Sequence, residues 1–138
     1  LIEKDERLSK NLNYRFGEKI IIFNEDMMKF PFNNYQNKKI IIFGNLPYNI
    51  STQILAKWIK MKHIDKICKK FILMFQKEVA NRIIAKFDTK SYGRLSILSN
   101  WKLDIRKICD IKPESFYPKP KIDSSLLFFS PKKIVQKF

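Results

Sequence analysis

The chain has 138 residues, of which 45% are hydrophobic, 14% aromatic and 30% charged, a composition typical of one globular domain with a single core. No segment contains the roughly 18 unbroken apolar residues of a membrane-spanning helix, so we expect no membrane span. The 28 basic and 13 acidic side chains give a formal net charge of +15, which favours a polyanionic partner such as RNA or DNA. Cys68, Cys109 and the one histidine, His63, show no metal-ligand spacing, so we predict neither a metal site nor a disulfide framework.

The first part of the chain predicts a strand, a helix and then two further strands. Leu1 and Ile2 are typical of the end of a strand, and apolar residues four apart over residues 4–15 predict a helix that ends at Gly17. Residues 19–23 and 39–43 are short, continuous apolar runs. They predict strands buried on both faces of a parallel sheet.

The second part begins with the same alternation and then changes. Ser51 is expected to cap a helix that extends to about Ile59, and residues 70–75 predict a third core strand followed by a helix over 76–87. The remaining apolar runs predict strands without a helix between them, at residues 95–101, 107–111 and 124–129. We therefore predict an α/β fold whose sheet is closed by an antiparallel C-terminal hairpin.

Distinctive polar residues follow three of the predicted strands: Glu3, Asp26 and Asn45. Ligands of open parallel sheets bind beyond the carboxyl ends of the strands, where a carboxylate can accept two hydrogen bonds from a ribose diol. On this basis Glu3 is a candidate ribose ligand and Asp26 a candidate acceptor for an adenine amine. Glu25 could exchange roles with Asp26, and either acid alone could equally be a solvated loop carboxylate or a helix cap.

The run Asn45-Leu46-Pro47-Tyr48 carries the clearest chemical signal. The amine of adenine is a poor nucleophile, so a catalyst must hold its N–H bonds and direct its lone pair toward a methyl donor. The Asn45 side-chain carbonyl and the Leu46 backbone carbonyl can do this on a turn stiffened by Pro47, while Tyr48 offers a stacking face for the base. The alternative is an ordinary proline-containing loop with Tyr48 packed on the core.

Six segments together resemble the motifs of the ribosomal RNA adenine N6-dimethyltransferase family, and they occur in the family's order. The segment 44–51, Gly-Asn-Leu-Pro-Tyr-Asn-Ile-Ser, is similar to the family's catalytic motif. The others are 2–5 (Ile-Glu-Lys-Asp), 26–27 (Asp-Met), 74–80 (Met-Phe-Gln-Lys-Glu-Val-Ala), 92–96 (Tyr-Gly-Arg-Leu-Ser) and 116–124 (Phe-Tyr-Pro-Lys-Pro-Lys-Ile-Asp-Ser).

This resemblance implies a Rossmann-like class I methyltransferase sheet that uses S-adenosyl-L-methionine to dimethylate adenines of small-subunit ribosomal RNA. It implies that Asn45, Leu46, Pro47 and Tyr48 form the catalytic loop. Glu3, Asp26, the Met27 backbone and Asn45 would bind the cofactor. Phe116 would join Tyr48 in clamping the flipped adenine, and four lysines would face the RNA: Lys119, Lys121, Lys132 and Lys133. The expected partner is ribosomal RNA or a precursor of the small ribosomal subunit, and the expected protein is a cytoplasmic monomer without metal.

The resemblance also predicts what the chain lacks. The family's first strand and Gly-rich cofactor loop have no counterpart here and would precede Leu1, so we expect an N-terminally truncated catalytic domain over residues 1–130. Residues 131–138 would begin the linker to a helical domain. The family's sheet order, 3-2-1-4-5-7-6, places its first strand at the centre. We therefore expect the isolated chain to be unable to bind the cofactor.

Three alternatives stay open at this point. The first is an erythromycin-resistance-type methylase of large-subunit ribosomal RNA. The second is a non-catalytic RNA-binding assembly module, which the intact Asn45 and Tyr48 disfavour. The third is a DNA adenine methyltransferase, which Leu46 disfavours because those enzymes typically have proline at this place.

Overall fold

The computed structural model describes residues 1–133, which divide into two compact units, Leu1–Asn34 and the chain from Tyr35 onward. Among the described residues no helix is both long and apolar enough to cross a membrane. Each unit has its own β pairing. The sequence predicted one domain over 1–130; Pro131, placed in the linker, instead completes the last strand, and residues 134–138 lie outside the described part.

The first unit contains helix α1 (Glu6–Phe16), as predicted. The Asp5 side chain caps it by accepting the Leu8 N–H at 3.0 Å, and the helix ends at Gly17. The strand predicted over 19–23 is wrong, because within residues 1–133 this segment forms only one parallel bridge, between Ile2 and Phe23. The Phe23 N–H donates to the Leu1 carbonyl and the Glu3 N–H donates to the Phe23 carbonyl, and these two bonds form the bridge.

The second unit contains a four-stranded sheet: β1 (Ile40–Asn45), β2 (Cys68–Gln76), β3 (Leu103–Ile111) and β4 (Ser124–Pro131). Its order is β1-β2-β4-β3, with β1 parallel to β2 and β4 antiparallel to both of its neighbours. The predicted parallel pair and antiparallel C-terminal hairpin are both confirmed, and the order corresponds to 4-5-7-6 of the expected sheet.

The crossover from β1 to β2 contains helix α2 (Ser51–Lys60) and the single turn α3 (Ile64–Ile67), and β2 leads into α4 (Lys77–Ile83). Ser51 was expected to cap α2, but it is the first helical residue, and its hydroxyl donates to the Tyr48 carbonyl at 3.2 Å. The helix predicted over 76–87 ends at Ile83, and the chain then turns through Asp88 with a φ of 66°.

The strand predicted over 95–101 is wrong: Arg94–Lys102 forms helix α5. The apolar residues of this run predicted a strand, but Ile97 and Trp101 are exposed, while Ser96, Ser99 and Lys102 are buried. These buried residues are three apart, which is the spacing of one face of a helix. The Ser96 hydroxyl donates to the Arg82 carbonyl at 2.6 Å and accepts the Gly93 N–H at 3.3 Å, so it ties the start of α5 to α4.

The core lies between one face of the sheet and the helices. Trp58 of α2 stacks on Phe71 of β2 with ring centroids 5.3 Å apart, and Phe71 and Phe75 each form a T-shaped pair with Phe129 in β4. On the opposite face the cross-strand register aligns Phe43, Ile72, Phe128 and Arg106. The Arg106 guanidinium lies 4.7 Å from the centre of the Phe128 ring, a cation–π contact that covers part of this face.

Replacing the buried Ser96 by alanine should lower the free energy of unfolding by about 1–3 kcal/mol, because it leaves the Arg82 carbonyl and the Gly93 N–H without their part-buried hydrogen-bond partner. Urea unfolding followed by circular dichroism measures this change. The matched control is Ser91→Ala, an exposed serine in the preceding loop, with an expected change within about 0.5 kcal/mol. Equal midpoints for the two variants would contradict the role assigned to Ser96.

Candidate active site

The ends of β1, β2 and β3 and the start of β4 lie at the same edge of the sheet. Asn45, the last residue of β1, pairs with Met74 near the end of β2. Gln76, the last residue of β2, pairs with Ser124, the first residue of β4, and Ser124 also pairs with Ile111 at the end of β3. The predicted catalytic loop and the Pro-rich loop between β3 and β4 therefore emerge from this edge, called the carboxyl edge below.

The predicted catalytic loop, Asn45-Leu46-Pro47-Tyr48, is anchored by its second residue. Leu46 is buried at 6% exposure, while Asn45 and Pro47 are exposed. The Asn45 side chain makes no hydrogen bond to any described residue, so its carbonyl and amide remain available to a ligand. The Pro47 carbonyl accepts the Ile50 N–H at 3.1 Å, which closes the turn.

Gly44 sets how closely the start of this loop approaches the core. A Cβ atom at Gly44 would lie 2.8 Å from Leu73 Cδ2 and 3.1 Å from Leu46 Cδ2. Leu73 is fully buried, so its side chain could shift only by displacing other core atoms. The glycine therefore lets β1 and Leu46 pack tightly against β2, which fixes the backbone just before Asn45.

Tyr48 is half-buried and fixed at both ends. Its hydroxyl shares a hydrogen bond of 2.5 Å with the hydroxyl of Ser124, and its carbonyl accepts the Ser51 hydroxyl. The Tyr48–Ser124 bond joins the predicted catalytic loop to the start of β4 across 76 positions of sequence. Sequence reasoning assigned no role to Ser124, although it is the last residue of the segment that resembles the family's Pro-rich motif.

The Pro-rich loop is held to the carboxyl edge by its last residue. The Asp123 carbonyl accepts the Lys77 N–H at 3.0 Å, and the Asp123 carboxylate pairs with Lys112 at 3.0 Å. Between Lys112 and Asp123 the loop contains the short 3-10 turn Pro113–Ser115 and a cis peptide bond between Tyr117 and Pro118.

Asp110, near the end of β3, connects three elements of the carboxyl edge. Its carboxylate accepts the Ser125 hydroxyl at 2.6 Å and pairs with Lys107 at 3.1 Å and Lys77 at 3.3 Å. The Ser125 hydrogen bond and the two lysines hold the pKa of Asp110 well below its usual range. Sequence reasoning missed this cluster because its members come from separate strands and a helix.

The residues predicted to bind RNA and the target base are only partly brought together. Phe116 is half-buried in the Pro-rich loop at the carboxyl edge, but no ring contact joins it to Tyr48 within residues 1–133. Lys119 pairs with Glu114 at 2.9 Å, and Lys121 is exposed. Lys132 lies at the opposite edge, where its ammonium donates to the Asn100 carbonyl at 2.6 Å, so it is a structural residue here.

The predicted cofactor residues Glu3, Asp26 and Met27 belong to the first unit. Glu3 Oε1 accepts the Asp5 N–H at 2.8 Å, and no described residue bonds to Oε2. Asp26 Oδ1 accepts the Met28 N–H at 2.9 Å, and Oδ2 pairs with Lys4 at 3.1 Å. The Met28 hydrogen bond and Lys4 lower the pKa of Asp26, so it is ionised at neutral pH. The Met27 N–H has no acceptor within the described part of the chain.

No three His, Cys, Asp or Glu side chains among residues 1–133 are grouped so as to hold a metal ion. The fold of the second unit is that of a Rossmann-like methyltransferase sheet, with the exposed Asn45 at its carboxyl edge. Two solved structures share this fold. A dimethyladenosine transferase from Plasmodium falciparum matches with a TM-score of 0.80 and 29% identity over 96% of this chain and 47% of its own. The 23S rRNA methyltransferase ErmE matches with a TM-score of 0.73 and 22% identity, over 96% and 51%.

Sequence comparison agrees with the fold. Residues 1–137 match the family described as ribosomal RNA adenine dimethylase. The ribosomal RNA small subunit methyltransferase A of Pelagibacter ubique is 53% identical over 96% of this chain and 51% of its own length. That of Francisella tularensis subsp. novicida is 47% identical over 80% and 42%.

The chain therefore belongs to the ribosomal RNA adenine dimethylase family. It spans about half the length of the curated relatives that it matches.

The Tyr48–Ser124 hydrogen bond should be measurable as a coupling energy. We expect Tyr48→Phe and Ser124→Ala each to lower the free energy of unfolding by about 0.5–1.5 kcal/mol. Because both substitutions remove the same hydrogen bond, the double variant should lose less than the sum of the two single losses. Urea unfolding of the four proteins in a double-mutant cycle tests this. Strictly additive losses would mean that the two hydroxyls do not interact in solution.

Asp110 should make stability depend on acid pH. The pKa of Asp110 is lowered in the folded state. Its contribution to the free energy of unfolding is therefore fully present above the unfolded-state pKa of about 3.9 and is lost as the pH falls toward the lower pKa of the folded state. The difference in urea midpoint between wild type and Asp110→Asn should therefore shrink from about pH 6 to about pH 3. Asp88→Asn, at an exposed loop position without an ion pair to described residues, is the control. A pH-independent difference for Asp110→Asn would contradict this assignment.

Proposed function

We propose that the gene product carrying this chain dimethylates the N6 amine of adenines in small-subunit ribosomal RNA, with S-adenosyl-L-methionine as methyl donor. The observation that carries the proposal is the loop Asn45–Tyr48 at the carboxyl edge, where an exposed amide with no competing partner stands beside a fixed aromatic ring. Two relatives named for small-subunit ribosomal RNA methylation, at 53% and 47% identity, support the choice of substrate.

In this proposal Asn45 and Leu46 act on the adenine amine through hydrogen bonds. The Asn45 side-chain carbonyl and the Leu46 backbone carbonyl accept its two N–H groups, which turns the nitrogen lone pair toward the donor. No general base is required before attack, since the amine becomes acidic only after it has gained the methyl group. The close packing of Gly44 on Leu73 keeps both carbonyls in place.

Tyr48 supplies the stacking face for the target base. Because the Ser124 hydroxyl fixes the far end of the ring, its orientation is set before the base arrives, and less entropy is lost on binding. Phe116, from the same edge, would cover the other side of the base when it enters. Both rings accept any adenine, so the choice of nucleotide must come from other contacts to the RNA.

The residues of the first unit fit the nucleoside part of the cofactor. Glu3 Oε2 is free to accept from a ribose hydroxyl. The ionised Asp26 could accept from the adenine amine in exchange for Lys4, while the free Met27 N–H could donate to the ring. The cofactor would supply an electrophilic methyl group.

The partner in this proposal is ribosomal RNA or a small-subunit precursor, which the net charge of +15 suits, and the location is the cytoplasm. The cysteines agree with a reducing compartment, because both Cys68 and Cys109 are free thiols. Burial raises the pKa of the Cys68 thiol to about 12, so it is unreactive.

Replacing Asn45 by alanine should lower the methyl-transfer rate by about 100-fold or more, because the amine loses one of its two oriented acceptors. Cofactor affinity should stay largely intact. The assay uses the gene product, undermethylated small subunits and labelled S-adenosyl-L-methionine, with mass spectrometry of the modified adenines.

The control is Asn81→Ala, an exposed asparagine on α4, which should retain full activity. Near-normal turnover of Asn45→Ala would show that the catalytic assignment is wrong. Labelling of large-subunit RNA instead would leave the catalytic loop in place and overturn the proposed substrate.

A further inference from the structure

A cavity of about 680 Å³ lies between α2, α4 and α5 in the second unit, and none of the candidate active-site residues described above lines it. Its lining is largely apolar and includes Leu95 and Leu98 of α5. We call it the α2–α5 groove. Its polar lining includes Thr52, Gln53, Arg82, Lys90, Tyr92 and Arg94.

The groove is positively charged. Arg82, Lys90 and Arg94 all line it, and no aspartate or glutamate of the described residues does. Arg82 also pairs with Glu78 one helical turn away at 2.6 Å, but both side chains are largely exposed. Such exposed pairs contribute little, so a phosphate in the groove can compete for the Arg82 guanidinium.

Aromatic rings stand beside these cations. Tyr92 lines the groove, and its ring meets Phe87 edge-on, with centroids 5.7 Å apart and an interplanar angle of 81°. Phe87 is 82% exposed, which is unusual for so large an apolar side chain. The loop that carries both rings is braced by hydrogen bonds from the Thr89 hydroxyl to the Lys86 carbonyl and from the Tyr92 N–H to the Thr89 carbonyl.

The groove begins next to the catalytic loop. Thr52, in the first turn of α2, follows Tyr48 by four residues. Because β1 and β2 are parallel, the helices that follow them, α2 and α4, both begin at the carboxyl edge. α5 leads into β3, whose first residue lies at the opposite edge, so Gly93 and Arg94 are also on the carboxyl side.

We propose that the α2–α5 groove binds a single-stranded stretch of the RNA that flanks the target adenine. Arg82, Lys90 and Arg94 hold its phosphates, and Tyr92 stacks on an unpaired base. A basic groove with an aromatic face is the arrangement that single-stranded nucleic acid requires. The proposal rests on the proposed function for the identity of the RNA, but the binding itself does not require methyl transfer.

The test compares two double variants of the gene product that remove the same charge. Lys90→Gln with Arg94→Gln removes two cations from the groove, and Lys60→Gln with Lys62→Gln removes two exposed lysines near the far end of α2. Binding of a fluorescent single-stranded RNA is followed by anisotropy over a range of salt concentrations. The groove variant should bind more weakly, and its slope of log K against log salt should fall by about 0.7 for each phosphate that the protein no longer neutralises.

Tyr92 provides a second, charge-independent measurement. Tyr92→Ala should weaken binding of the same RNA by about tenfold, whereas Tyr92→Phe should stay within about twofold of wild type because the ring face is kept. In methylation assays the groove variants should raise the KM for RNA and leave kcat and cofactor affinity unchanged. The proposal is overturned if the groove double variant behaves like the Lys60/Lys62 control, or if Tyr92→Ala binds as wild type.

The two proposals fail separately. Asn45→Ala should remove methyl transfer and leave RNA affinity intact. The groove variants should weaken RNA binding and leave kcat unchanged. If Asn45→Ala kept its activity while the groove variants bound RNA more weakly, the catalytic assignment would fall and the groove would stand.

Discussion

The central strand β2 is the constraint on which the second unit depends. It pairs in parallel with β1 and antiparallel with β4, and its residues Phe71, Leu73 and Phe75 are at most 1% exposed. β2 is paired along both sides, and one of its faces is completely buried. A one-residue shift of a neighbouring strand would move that strand's buried side chains to the opposite face, so the pairing register is fixed. That register places Asn45 beside Met74 and Ser124 beside Gln76, and so determines where both functional loops leave the sheet.

Around this edge, positions are fixed by polar contacts between elements distant in sequence. The Tyr48 and Ser124 hydroxyls connect the first loop to the hairpin, and the Asp110 carboxylate binds Ser125, Lys107 and Lys77. These contacts hold backbone and rings while leaving the Asn45 amide without a partner among the described residues. Such an arrangement suits a site in which the protein orients a weak nucleophile, since accurate placement of the reacting groups lowers the barrier.

The same architecture explains why the proposed RNA-binding surface extends along the helices. The parallel crossovers start α2 and α4 at the carboxyl edge, and α5 returns toward the opposite edge. A groove between these helices therefore begins at the Asn45–Tyr48 loop and continues away from it. The cations and the tyrosine within it extend the surface available to a nucleic acid beyond the reach of Tyr48 alone.

The sequence by itself determined those strands and turns that depend on residues close together in the chain. The apolar runs predicted β1, β2 and β4, and Pro47 predicted the turn that follows β1, because both features depend on neighbouring residues. Tertiary structure decided the rest. Residues 95–101 became a helix because Ser96 and Ser99 lie on its buried face, where the Ser96 hydroxyl bonds to α4. Residues 19–23 formed one bridge because a strand needs a paired neighbour along its length. The role of Ser124, the Asp110 cluster and the α2–α5 groove arise from contacts between distant segments, which no local pattern encodes.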